Sequence, residues 1–188
     1  MLSFLKHNVT RVWIAAGVLA VLALILSTFY FLPRSAPNGM GSLTPFSDYQ
    51  YTQTYSDETY HFSFNYPEGF TVTAVSDMGG EGGKTILLES DDKKVGIQIL
   101  ISPYGSDVDI TEAMIESDIP DMRVSDPQTV EIGSSRKGLA FMSNNPAFSG
   151  ASREVWFTSG GYLYQISTYA EFDELLKKLF GTWTFFEN

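Results

Sequence analysis

Apolar positions follow three different periods along the chain. From Val12 to Leu32 the run VWIAAGVLAVLALILSTFYFL is uncharged, with only Ser27 and Thr28 as polar interruptions. At about 1.5 Å rise per residue it spans roughly 30 Å, the thickness of a bilayer core, so a transmembrane helix is expected. Trp13 stands at one end and Phe29, Tyr30 and Phe31 at the other, where amphipathic rings favour the interface. Cleavage as a signal peptide is disfavoured, because a cut after Ala36 would leave Arg34 at −3 and Pro37 just beyond it. Residues 33–48 lose all periodicity and carry Pro33, Pro37 and Pro45 among Gly39 and Gly41, the composition of a flexible linker. As a coil it reaches roughly 20–24 Å.

Beyond the linker the period switches to two. Tyr60, Phe62, Phe64 and Tyr66 fall on one face of a predicted strand, with His61, Ser63 and Asn65 on the other. Pro67-Glu68-Gly69 makes a turn, and Phe70 to Ala74 resumes the alternation. Thr85 to Glu89 and Val95 to Ile101 read as a hairpin around Asp91-Asp92-Lys93-Lys94. Thr129 to Ile132, Gly138 to Met142, Arg153 to Thr158 and Tyr162 to Thr168 complete the series, and tight links favour antiparallel pairing. Two helices interrupt it. The first opens at Asp107 to Glu112, with Asp109 as the expected cap and Ile110, Ala113 and Met114 facing inward, and stops before Pro120. The second carries Phe172, Leu175, Leu176, Leu179 and Phe180 as an apolar stripe, with Thr168 and Glu171 as a capping box and Gly181 as its stop. Thr182 to Phe186 closes the chain as a strand. The expected fold class is α+β, an antiparallel β-sheet flanked by helices and preceded by one transmembrane α-helix. The expected organisation is a tail over residues 1–11, a span over 12–32, a linker over 33–48 and one domain over 49–188.

Charge sets the orientation and removes several functions. The chain of 188 residues holds 12 Lys+Arg against 22 Asp+Glu, and Lys6 and Arg11 precede the span while Arg34 follows it. That bias directs the tail into the cytoplasm and the domain outward. An acidic chain is poorly suited to nucleic acid, whose binding rests on cations that displace counterions. Cysteine is absent, which excludes disulfides, thiolate nucleophiles and Cys-ligated metals. Asn8-Val9-Thr10 matches a glycosylation sequon but lies in the tail expected to be cytoplasmic.

Several segments resemble one family. The run Tyr60-His-Phe-Ser-Phe-Asn-Tyr-Pro-Glu-Gly-Phe70 resembles the opening of the PsbP-like family, an aromatic strand, Tyr-Pro, then Gly and an aromatic. Val95 to Pro103 is similar to that family's central strand, Trp156-Phe157 with Gly161 to Ile166 to its late hairpin, and the final helix before Thr182-Trp-Thr-Phe185 to its ending. The resemblance covers about residues 55–186 in element order. It implies a PsbP-like sandwich and a non-catalytic role as an extrinsic binding or assembly subunit. The photosystem role is not carried over.

Gly79 to Thr85 superficially matches a phosphate-binding loop, but Met78 stands where its first Gly is needed and a strand follows instead of a helix. Asp107, Asp109, Glu112, Glu116, Asp118 and Asp121 crowd one stretch, yet Glu112 replaces the Gly that a calcium loop requires. Gly133 to Gly138 misses a nucleophile elbow by one residue. His7 and His61 are the two histidines, and the span is expected to separate them, so they build no metal site; His61 alone offers a general base. Catalytic residues, cofactors and metals are therefore expected to be none. Tyr49, Tyr51, Asn145 and Phe148 lie in polar surroundings and are the candidate partner contacts, though the aromatics also fit folding back onto the sheet. The sequence reads as a membrane-anchored extracytoplasmic module with a protein partner in the envelope. A cell-envelope hydrolase centred on His61 and a component of a secretion or pilus-like assembly are the alternatives, and the absence of acid before Asp48 weakens the last.

Overall fold

The computed structural model describes residues 49–76, 82–148 and 150–186. The expected tail, span, linker and most of the glycine loop at 79–83 lie outside them. Among the described residues no helix is long and apolar enough to cross a membrane.

The described residues form ten strands and two helices in order: β1 (Gln53–Asp57), β2 (Phe62–Tyr66), β3 (Phe70–Ser76), β4 (Lys84–Ser90), β5 (Gly96–Pro103), α1 (Glu112–Asp118), β6 (Ser125–Ile132), β7 (Arg136–Ser143), β8 (Ser152–Ser159), β9 (Tyr162–Tyr169), a 3-10 turn (Ala170–Phe172), α2 (Asp173–Gly181) and β10 (Thr184–Phe185). A seven-stranded sheet runs β3-β4-β5-β9-β8-β7-β6 and a three-stranded sheet β1-β2-β10. Every pairing is antiparallel. The fold is thus the expected α+β class with an antiparallel sheet.

Strand alternation divides the large sheet into two faces. One face, with Ile97, Ile99 and Ile101 of β5, Val155 and Phe157 of β8 and Tyr164 and Ile166 of β9, packs with Phe62, Phe64 and the α2 stripe into the main core. Phe172, Leu175, Leu176, Leu179 and Phe180 are all buried, as the 3.6-residue period required. Trp183 sits at the centre, stacked on Phe62 at 4.8 Å and on Phe64 at 5.1 Å. The opposite face carries a smaller cluster in which Ile115 of α1 covers Phe141 and Trp156. Helices therefore lie on both faces of the sheet.

Several local expectations are corrected. Thr111 caps α1, accepting from Met114 N, and Ile115 is its buried residue while Ala113 is exposed. The helix starts at Glu112, so the Thr111 hydroxyl just before it, and not the Asp109 carboxylate, is placed to accept from its third amide. Asp107 caps no helix: its carboxylate accepts from the Gly160 and Gly161 amides at 3.1 and 2.8 Å, closing the β8–β9 turn. The capping box before α2 does not form, because Thr168 is still in β9 and donates to the Gly96 carbonyl at 2.8 Å. The chain turns through the 3-10 segment first. Strand β1 was not expected, since its burial is sparse. The final strand shortens to Thr184–Phe185, paired with β2. His61 is not on the strand but in the β1–β2 turn with φ 54°, and its ring meets Phe186 edge-on at 5.9 Å.

Candidate functional site

The four contact candidates separate in the fold. Tyr49 packs edge-on against Phe70 at 5.5 Å. Tyr51 donates its hydroxyl to the Leu175 carbonyl at 3.3 Å, and burial pushes that phenol up from its ordinary value. Phe148 is half-buried, edge-on to Tyr169 at 4.9 Å. These three rings fold back onto the body of the domain. Asn145 goes elsewhere. Its Nδ2 donates to Glu154 Oε1 at 3.1 Å, its backbone amide to Ser143 Oγ at 3.1 Å, and its Oδ1 accepts from Ala147 N at 3.1 Å.

Asn145 thereby borders a polar cleft on the face of the large sheet that α1 partly covers. The floor is set by strand register. Glu154 of β8 pairs with Ser167 of β9, and Ser167 with Gln98 of β5; one step along, Trp156 pairs with Gln165 and Gln165 with Leu100. Side chains two residues apart on a strand share a face, so these rows lie side by side. Ile119 and Met122, just after α1, supply an apolar wall, and the Asn144–Phe148 segment borders the side with Asn145 and Ala147. The space enclosed is about 40 Å³.

Glu154 is the unusual member, 1 % exposed at the middle of a β-strand. Oε1 accepts from Ser152 Oγ at 2.8 Å, Ser143 Oγ at 3.3 Å and Asn145 Nδ2 at 3.1 Å, while Oε2 accepts from Ser167 Oγ. Among the described residues it has no ion pair with Lys, Arg or His. A carboxylate buried without a cation is costly unless donors surround it, each such bond contributing about 1.5–3 kcal/mol. Three serines and one asparagine supply them. Beside it, Gln165 Oε1 and Trp156 Nε1 are buried and have no protein partner. Each orphaned group costs about 1–3 kcal/mol, and two of the four such atoms among the described residues belong to this cleft's lining. Among the residues that line the cleft, Glu154 Oε2 and Gln165 Oε1 are acceptors and Trp156 Nε1 is a donor.

Other polar clusters are engaged internally. Asp57 holds Lys84 Nζ, the Tyr55 hydroxyl at 2.8 Å and the Thr59 and Tyr60 amides at 3.1 and 3.3 Å. Burial pushes the Asp57 carboxyl up, but Lys84 and these donors outweigh it and hold the group below its usual value. Lys84, the lysine of the glycine loop, is thus turned into the core edge. A broad groove near β6 contains Arg153, whose Nε donates to Asp173 at 2.7 Å, so its charges answer one another. Ser134 and Ser135 lie in the β6–β7 turn.

The sequence exposed Asn145 but not Glu154, Gln98, Trp156, Gln165 or Ser167. The available signal was a glutamate, a glutamine and a serine set at alternate positions inside two strands with apolar residues on both faces. Such strands are covered on both sides, so polar residues within them mark a buried polar site.

No protein-family profile and no curated protein matches the chain. Among solved structures, the solution structure of cyanobacterial PsbP (CyanoP) from Synechocystis sp. PCC 6803 is similar at 14% identity and a TM-score of 0.47, over 71% of this chain and 92% of that one.

Proposed function

We propose that the chain is a membrane-anchored, extracytoplasmic binding or assembly module of PsbP-like type, and that the Glu154 cleft is where it holds its partner. One observation carries the reading: a buried carboxylate, amide oxygen and indole N–H converge on one small cleft, and two of these three have no protein partner. A pre-formed concave site with a few convergent polar groups is the usual form of a recognition site. The uncharged run from Val12 to Leu32 supports the anchor, and Lys6 and Arg11 support the orientation. The PsbP-like assignment rests on the aromatic strand Tyr60 to Phe70 and the segments that follow it in order. Against the hydrolase alternative, the His61 ring packs on Phe186 and its carbonyl accepts from Phe186 N at 3.0 Å, which commits the residue to closing a turn.

Complementation of a deletion strain discriminates the readings, with protein level and melting temperature checked for each variant. Glu154→Gln should lose function while His61→Ala retains it. The reverse pattern would move the chemistry to His61 and refute the binding reading. Protease added outside spheroplasts should digest the domain, and protection until lysis would invert the topology.

A further inference from the structure

We infer that the cleft captures the amino terminus of a partner peptide, taking the α-ammonium group and the carbonyl next to it; the inference rests on the binding reading above. The argument is one of matching inventories. Glu154 Oε2 accepts from Ser167 alone among the described residues, and a carboxylate oxygen has room for a second donor. Among the described residues Gln165 Oε1 has no donor and Trp156 Nε1 no acceptor. A ligand that satisfies all three must present at least two hydrogen-bond donors and one acceptor within a few bonds. An α-ammonium followed by its carbonyl does so, with three donors on one nitrogen and the oxygen two carbons away. A lysine ammonium lacks the acceptor, and a neutral amide lacks the charge.

Size and charge agree. A water needs about 10–15 Å³, so 40 Å³ accepts a group of roughly three or four heavy atoms and no larger side chain. Capture of a terminal amine by convergent backbone and side-chain groups is a known mode of peptide recognition. Along the segment that supplies Ile119 and Met122, Glu116 and Asp121 are exposed, Asp118 is half-buried, and Arg123 is the one cation of residues 110–124. The domain as a whole is acidic, which favours arrival of a cation over an anion. A free amino acid carries the same ammonium but adds a carboxylate beside Glu154, where like charges repel. The half of this sheet face formed by β4 and β5 is only partly buried, with Thr85, Leu87 and Leu100 half-exposed, and it gives the following peptide residues a path out.

The test uses the full chain in detergent micelles with 15N-labelled tryptophan, the Trp156 indole signal being assigned by its loss in Trp156→Phe. Triglycine amide is titrated against N-acetyl-triglycine amide and free glycine. The indole signal should move saturably with triglycine amide and remain unmoved by the acetylated peptide. Glu154→Gln should weaken the effect about tenfold or more, since a charge-assisted hydrogen bond contributes about 1.5–3 kcal/mol. Should Glu154→Gln melt, Gln165→Leu, which removes the second acceptor and no charge, is expected to show the same weakening. Equal titration by the acetylated peptide, equal titration by glycine, or no movement with triglycine amide each overturns the inference. A photo-cross-linker at Met122 separates the two levels of argument. Adducts that Glu154→Gln abolishes, with no response to triglycine amide, reject the amino-terminal chemistry and retain the binding reading; neither adducts nor response rejects both.

Discussion

Trp183 offers the sharpest test of how the core is held. It is 2 % exposed, stacked on both Phe62 and Phe64, and edge-on to Phe157 at 5.9 Å. Its indole N–H is buried without a protein partner. Trp183→Ala removes every one of those contacts from a site ringed by rigid aromatics that collapse poorly. The cost should be about 3–5 kcal/mol, a large share of the stability of an ordinary domain. For a domain of this size that lowers the melting temperature by roughly 10–20 °C. Trp183→Phe is more telling. It keeps an aromatic ring next to Phe62 and loses the outer part of the indole, but it also removes an orphaned donor whose burial costs about 1–3 kcal/mol. The two effects nearly offset, so Trp183→Phe should lie within about 1.5 kcal/mol of the wild type. Urea denaturation of residues 48–188, followed by near-ultraviolet circular dichroism, measures both. That fragment holds every strand and both helices, and it is expected to unfold in one cooperative step. If Trp183→Phe costs as much as Trp183→Ala, the indole nitrogen is bonded in solution and the packing argument fails.

Three further outcomes follow from local geometry. A Cβ on Gly133, at φ 58°, would lie 2.2 Å from the Trp183 carbonyl oxygen, so Gly133→Ala should cost at least about 2 kcal/mol, whereas Gly160→Ala, at φ 62° with open space, should cost about 1; equal melts would refute the close approach. Asp57→Asn leaves the Lys84 ammonium, 15 % exposed, without its charge partner and should cost about 3 kcal/mol at neutral pH. Because the folded state lowers the Asp57 value from 3.8, its contribution is complete above that pH and is lost as pH falls through the lowered value; the acid limb of the wild-type stability curve should therefore be steeper than that of Asp57→Asn. His61→Gly should equal or exceed wild-type stability, since glycine adopts φ 54° freely, and His61→Ala should stay within about 1 kcal/mol of the wild type; a larger loss measured by thermal melt would mean the imidazole supports more than a turn.

The strands were legible wherever one face carries uninterrupted apolar residues. Val95, Ile97, Ile99 and Ile101 are buried as their alternation required, and the α2 stripe is buried in full. Boundaries failed where tertiary contacts compete with local chemistry. Thr168 could cap a helix in isolation, but its hydroxyl is taken by Gly96 on a neighbouring strand. β6 runs four residues further back than its alternation indicates because a bulge between Ser125 and Gln128, with Asp126 at φ 50° and Pro127 beside it, breaks the period at an edge strand. The cleft was hidden for a different reason. Its members come from β5, β8, β9 and the segment after α1, so only strand register places Gln98 beside Ser167 and Ser167 beside Glu154. Asn145 was picked for its polar loop and belongs to the cleft, whereas Tyr49 and Tyr51 were picked for their rings and pack on the core side instead.

The small sheet orders events during synthesis. Strand β2 lies between β1, close to the start of the domain, and β10, close to its end. Phe62 and Phe64 stack on one another, and Trp183 then covers both. A ribosome delivers the chain amino terminus first, so those two phenylalanines emerge early and wait through β3 to α2 before the residue that covers them is made. Whatever carries the chain to its destination must therefore handle a nascent domain with an open aromatic centre, and cooperative closure belongs to the moment after Trp183 is released.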